Sequence, residues 1–137
     1  MTEASARLVA GLEIVLNEPE GSAQELMGFV GMNKLGLDLV DRIHHHHAYE
    51  DYSVLPRFLN LFPPLAGAID LLEHDHEYLH RVLEKTRVTF AAIRPETSSK
   101  MDIDRALKDA AELKRILAQH TYDEEDILIP TLLSARG

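Results

Sequence analysis

The chain has 137 residues and a mass of 15.4 kDa, enough for one hydrophobic core. Its 14 lysines and arginines are outnumbered by 23 acids, and the formal charge of -9 makes nucleic-acid phosphates and anionic membrane surfaces poor partners. With no cysteine, disulfides, iron–sulfur clusters, thiolate zinc sites and thiol catalysis are excluded together, so any metal must be held by nitrogen and oxygen.

Leu8, Leu12, Val15 and Leu16 recur at helical spacing and stop at the turn-forming run from Asn17 to Gly21, which predicts a short first helix. Glu3 and Glu13 interrupt this stretch, and no window approaches ~18 uncharged residues, so neither a signal peptide nor a membrane span is read and a cytoplasmic location is the default. Ser22 and Glu25 have the S-x-x-E form of a capping box, which starts a second helix near Ala23. Leu26, Val30, Leu37, Val40 and Ile43 carry it onward until Pro56 and the pair Pro63-Pro64.

A third helix is predicted from Leu65 to about Ile93, with Ile69, Leu72, His76, Leu79, Leu83 and Phe90 along one side. Ser98 or Ser99 can cap a fourth, in which Ile103, Leu107, Ala110, Leu113, Leu117, His120 and Leu128 keep helical periods to about Leu133. Pro56 and Pro130 are expected to end or kink their helices. No segment alternates with period two, so the class is all-α: an up-down-up-down four-helix bundle, residues 1–137 forming a single domain whose ligand site lies between the helices.

The eight histidines fall in three places: 44 to 47, 74 to 80, and 120. His46-His47-Ala48-Tyr49-Glu50-Asp51 with Pro56 and His120-Thr121-Tyr122-Asp123-Glu124-Glu125 with Pro130 share the pattern H-x3-E-[D/E]-x4-P. Residues at i and i+4 project from one helix face, so His46 with Glu50, and His120 with Glu124, each form a two-toothed ligand, and His76 with His80 forms a third. Burying these groups without a partner costs several kcal/mol per charge, which a bound cation offsets. Imidazole and carboxylate without sulfur suit iron, manganese or zinc, and two carboxylates able to bridge favour two metals over one. Glu-x-x-His, the ferritin-like dimetal spacing, has the reverse order. Four consecutive helical residues span ~300°, so at most His46 and one neighbour face the metal; His44, His45, His47 and His74 are read as surface or supporting groups. Asp51, Asp75, Asp123 and Asp126 are read as solvated acids or as partners for ligand N–H groups. The tyrosines Tyr49, Tyr52, Tyr78 and Tyr122 are expected to pack in the bundle core.

The ordered segments HHHHAYEDYSVLP, LLEHDHEYLH and QHTYDEEDILIP resemble the bacterial hemerythrin-like (HHE cation-binding) domain over roughly residues 40 to 133. The resemblance implies metal ligands at His46 and Glu50, His76 and His80, and His120 with Glu124 or Glu125, the last by the i+5 acid of oxygen-carrying hemerythrins. It also implies a histidine on the first helix, and none precedes His44; either that helix lacks its start or a carboxylate, Glu3 or Glu13, takes the place. The implied cofactor is two iron ions, with manganese or zinc suited to the same donors. The implied function is a non-haem dimetal protein that binds O2, NO or iron for sensing, storage or carriage. Two alternatives stand beside it: a di-iron oxidoreductase acting on peroxide or NO, and a metal-free helical interaction module.

Overall fold

The structure, a computed structural model, describes residues 2–136, with side chains from 3 to 130. Helices α1 (Thr2–Leu16) and α2 (Ala23–Tyr49) are followed by a π turn (Glu50–Val54), α3 (Leu55–Leu61), a 3-10 turn (Pro63–Leu65), α4 (Ala66–Ala91) and α5 (Lys100–Arg136). The four long rods close into a ring, α1 against α2, α2 against α4, α4 against α5, and α5 back against α1. No strand occurs among the described residues, and the architecture is an all-α bundle.

The start of α2 follows its sequence signal with one change. Ser22 Oγ accepts from the Glu25 N–H, as a capping box requires, but the Glu25 carboxylate accepts from the Gly21 N–H at 3.0 Å. The Ser22 N–H is already donated to the Pro19 carbonyl, so the reciprocal bond moves back one residue, onto a glycine whose φ of 77° makes the turn. Lys100, at the start of α5, donates to the Val15 and Glu18 carbonyls at 2.5 and 2.6 Å and lies 3.0 Å from Glu25 Oε2. One ammonium thereby ties together the end of α1 and the starts of α2 and α5.

Leu8 and Leu12 of α1, Phe29 and Leu39 of α2, Leu83 and Phe90 of α4, and Ile103 and Leu113 of α5 fill the middle of the bundle. Each contributes about 1.5–3 kcal/mol by leaving water. Where α2 crosses α4 the approach is close: a Cβ at Gly36 would stand 2.2 Å from the Phe90 ring, so only glycine lets the ring close there.

Pro56 does not end its helix. The chain widens into the π turn, Leu55 donating to the Glu50 carbonyl five residues back, and then continues as α3. A wide turn makes room for the proline ring against the preceding carbonyls, which is how a helix passes a proline without breaking. At the other repeat α5 runs through Pro130. Beyond the π turn a small second cluster of Leu55, Ile69 and Leu72, with Phe58 and Ile127 against it, covers this end of the bundle.

The 15 residues of α1 span about 22 Å and the 27 of α2 about 40 Å, so from their shared turn α1 flanks only the first part of α2. Among the described residues, the last turn of α2 meets α4 and α5 through His47, whose ring contacts those of His76 and His120. Glu3 pairs with Arg7 at 2.9 Å on the surface and Glu13 is exposed, so neither carboxylate faces that end. No described helix is long and apolar enough to cross a membrane.

Candidate metal centre

The buried stripes of three helices turn polar at one level. On α2 the stripe Gly36, Val40, Ile43 continues as His47 and then Glu50; on α4 it passes from Leu72 through His76 to Leu79; on α5 it runs Leu113, Leu117, His120. Each stripe steps by three or four residues, so these side chains meet because their helices already pack there.

At the centre His76 Nε2 lies 2.8 Å from His120 Nε2. Glu124 Oε1 is 2.6 Å from His120 Nε2 and 3.5 Å from His76 Nε2, and Glu50 Oε2 is 3.6 Å from His76 Nε2. One donor atom from each of Glu50, His76, His120 and Glu124 falls within 4.8 Å of the others. His47 stacks on His76, ring centroids 4.4 Å apart at 18°, and its ring lies 5.4 Å from that of His120. It forms a second compact donor group with those two imidazoles.

Asp51 accepts from His76 Nδ1 at 2.6 Å. A carboxylate there fixes the Nδ1–H tautomer of a neutral ring and leaves the Nε2 lone pair pointing inward. Asp75 Oδ2 stands 3.9 Å from His120 Nδ1, too far for a direct bond.

Burial and mutual proximity shift the charges of this cluster strongly. Burial, with the Glu124 carboxylate beside it, pushes Glu50 up to about 8. Burial also acts to lift Glu124, but the His120 and His76 imidazoles and the Glu50 carboxyl reverse this and hold it well below the usual carboxylate range. Burial opposes the imidazolium of His76, but Glu124 and Asp51 overcome it and raise the group to about 9. Burial and the neighbouring His76 and His120 press His47 down to about 3.

These groups fit a cation. Glu124 Oε1 and His120 Nδ1 are both buried without a hydrogen-bond partner, although two imidazole nitrogens stand close to the former. His76 Nε2, His120 Nε2 and Glu124 Oε1 face one another, and once His76 gives up its extra proton all three present lone pairs to the same space. No lysine or arginine pairs with Glu50 or Glu124 among the described residues. Nitrogen and carboxylate oxygen at this spacing are donors for first-row divalent metals.

Of the seven residues marked by spacing and resemblance, Glu50, His76, His120 and Glu124 come together. His46 is half exposed and stands at the edge of the cluster, its Nε2 contacting Glu50 and its ring 5.7 Å from that of His47. His80 is exposed and turns to His44, ring centroids 4.7 Å apart, and Glu125 is exposed on α5. His47, read as a surface or supporting group, is instead buried beside the central pair. Its signal was available: His47 follows Ile43 by four residues and Val40 by seven, on the apolar stripe, whereas His46 does not. The tyrosines depart from expectation as well, since Tyr49, Tyr52, Tyr78 and Tyr122 all lie at the surface and not in the core. Their ring positions flank the buried stripes without lying on them.

The family model of the hemerythrin HHE cation binding domain matches residues 5–132. No curated protein and no solved structure matches the chain.

Proposed function

Because the chain belongs to the hemerythrin family of HHE cation-binding domains, we propose that its buried imidazole–carboxylate cluster holds two metal ions, most simply iron, in one metal-binding domain. The observation that carries this reading is the convergence of Glu50, His76, His120 and Glu124 within 4.8 Å, with buried donor atoms left unpartnered. Glu50 and Glu124 would hold the ions through their carboxylates, and His76 and His120 through their imidazoles. His47 supplies a further imidazole from α2, where α1 offers none. When bound, an iron pair supplies electrons and an open coordination position to a small ligand such as O2 or NO.

The chain's own residues set up that chemistry. Asp51 holds the proton of His76 at Nδ1 and so keeps Nε2 free to ligate. Leu55, Ile69 and Leu72 keep water from one end of the site. Binding of O2, NO or iron for sensing, storage or carriage, by a cytoplasmic protein, is the function this arrangement supports best.

The second reading is an oxidoreductase that acts on peroxide or NO. It is favoured by one feature: a groove between α2 and α4 reaches His47 and His76 from the surface. Loading the protein with Fe(II) under anaerobic conditions, counting metal per chain and recording the optical spectrum in air tests both. About two irons with an oxo-bridged charge-transfer band support a dimetal centre; no stoichiometric metal leaves a helical interaction module. Consumption of peroxide or NO over many turnovers favours the oxidoreductase, and binding without turnover favours the carrier or sensor.

A further inference from the structure

The two central imidazoles are braced unequally from behind. His76 Nδ1 meets the Asp51 carboxylate at 2.6 Å, whereas His120 Nδ1 is buried without a hydrogen-bond partner. Among the described residues, Asp75 is the carboxylate closest to that atom, its Oδ2 3.9 Å away. Both groups line a pocket of about 260 Å³ between α4 and α5 that opens to solvent. The Asp75 side chain is half exposed, and no lysine or arginine pairs with it among the described residues. The other carboxylate of the pocket, Asp123, accepts from the Gln119 amide at 3.0 Å. Asp75 is therefore the acceptor left over, with room to turn.

A cation on His120 Nε2 decides where the proton of that ring goes. An imidazole that ligates through Nε2 carries its one N–H at Nδ1, and an acceptor behind that N–H fixes the ring and makes it a better donor to the metal. Closing the 3.9 Å gap to a bond of ~2.9 Å takes a shift of about 1 Å, within reach of a half-exposed side chain. The chain order shows the same relation twice. Asp51 directly follows Glu50, on the continuation of α2, and holds His76 of α4; Asp75 directly precedes His76 on α4 and faces His120 of α5. We propose that Asp75 is a positioning residue of the metal centre: when a cation occupies His120 Nε2, the Asp75 carboxylate closes onto the Nδ1–H of that ring, as Asp51 does on His76. The role rests on the metal-binding reading above. A merely solvated surface acid would not respond to the cation.

The test is a titration of the full chain with Co(II), followed by metal affinity and by the paramagnetically shifted imidazole N–H signals in the proton NMR spectrum. Asp75→Ala should weaken Co(II) binding by about tenfold or more. Its spectrum should lose one N–H signal to faster exchange with water, a different signal from the one that Asp51→Asn shifts. Asp75→Glu keeps a carboxylate within reach and should retain that signal and most of the affinity. Asp123→Asn removes the same charge from the same pocket while its amide oxygen still accepts from Gln119, and should leave both readouts as in the wild type. The metal-free thermal melt of Asp75→Ala should match that of the wild type. Equal losses in Asp75→Ala and Asp123→Asn would reduce the effect to the charge of the pocket and overturn the proposal. Unmoved affinity and spectrum in Asp75→Ala would overturn it as well. A wild-type chain that binds no Co(II) refutes the metal-binding reading itself, and this role with it.

Discussion

The bundle buries carboxylates in two places, and it treats them differently. At the turn end, Glu25 is met by the Lys100 ammonium and the Gly21 N–H, so its charge is answered from within the chain. At the other end, Glu50 and Glu124 share a pocket with His47, His76 and His120, and no lysine or arginine among the described residues pairs with them. The first arrangement is answered by a fixed ammonium 3.0 Å from Glu25 Oε2, although that oxygen makes no hydrogen bond of its own, and it serves structure. The second leaves buried donors unpartnered, which a folded protein tolerates when something from solution completes it. Buried charge alone therefore does not mark a function here; imidazoles and carboxylates converging on one another, with no lysine or arginine among the described residues pairing with those carboxylates, do.

The sharpest way to break that contrast is to supply and withhold the cation. Wild-type protein with Fe(II) at 100 times its dissociation constant should gain about 2.7 kcal/mol per bound ion over the chelated form, by mass action on the native state. His120→Ala should lose most of that gain and most of the bound metal, while its chelated form still unfolds cooperatively. Scanning calorimetry with metal analysis checks this. A His120→Ala variant with full occupancy and full metal-dependent stabilisation would show that the cation sits elsewhere.

Glu50→Gln probes the same contrast from the opposite side. Without metal at neutral pH, Glu50→Gln should stabilise the fold by about 1 kcal/mol, because burial and Glu124 push the Glu50 carboxyl up to about 8 and folding must protonate it, a cost that glutamine does not carry. The same change should reduce metal content. Urea unfolding in the presence of a chelator gives the first number; a destabilised metal-free variant would mean that the cluster already satisfies its own charges. Ser22→Ala, at the turn end, should cost about 1 kcal/mol through the lost N-cap and leave metal per folded chain unchanged.

Much of this architecture was legible in the sequence because helical period and turn chemistry are local. The four rods, their approximate limits and the capping box at Ser22 follow from residues within a few positions of one another. The cluster was legible in part. An i, i+4 rule finds pairs on one face but does not say which face is inward, and it marks His46, His80 and Glu125 as readily as their neighbours. The phase of the apolar stripe decides that: Val40, Ile43 and His47 on α2, Leu72, His76 and Leu79 on α4, and Leu113, Leu117 and His120 on α5 share one buried face. The wide turn after Tyr49 could not be read this way, because Pro56 signals a break and only the packing beyond it shows that the helix goes on. Lys100 was equally hidden, since its three partners lie far away in sequence.

The smallest effect expected is a pH dependence confined to the turn end. The Gly21 N–H and then the Lys100 ammonium hold the Glu25 carboxyl below its ordinary value of 4.5, so the folded state binds this proton less readily than the unfolded chain. Such a group contributes its full stabilisation above pH 4.5 and loses it as pH falls from there through the lowered folded value. The difference in urea midpoint between wild type and Glu25→Gln, measured with a chelator, should thus be flat from neutral pH down to about 4.5 and shrink below it. The carboxylates of the metal centre titrate in both proteins and cancel in the difference, because the two ends of the bundle share no partner. A difference that grew towards acid would require Glu25 to be stabilised in its protonated form. Its carboxylate would then be as uncompensated as Glu50, and the contrast between the two ends would fail.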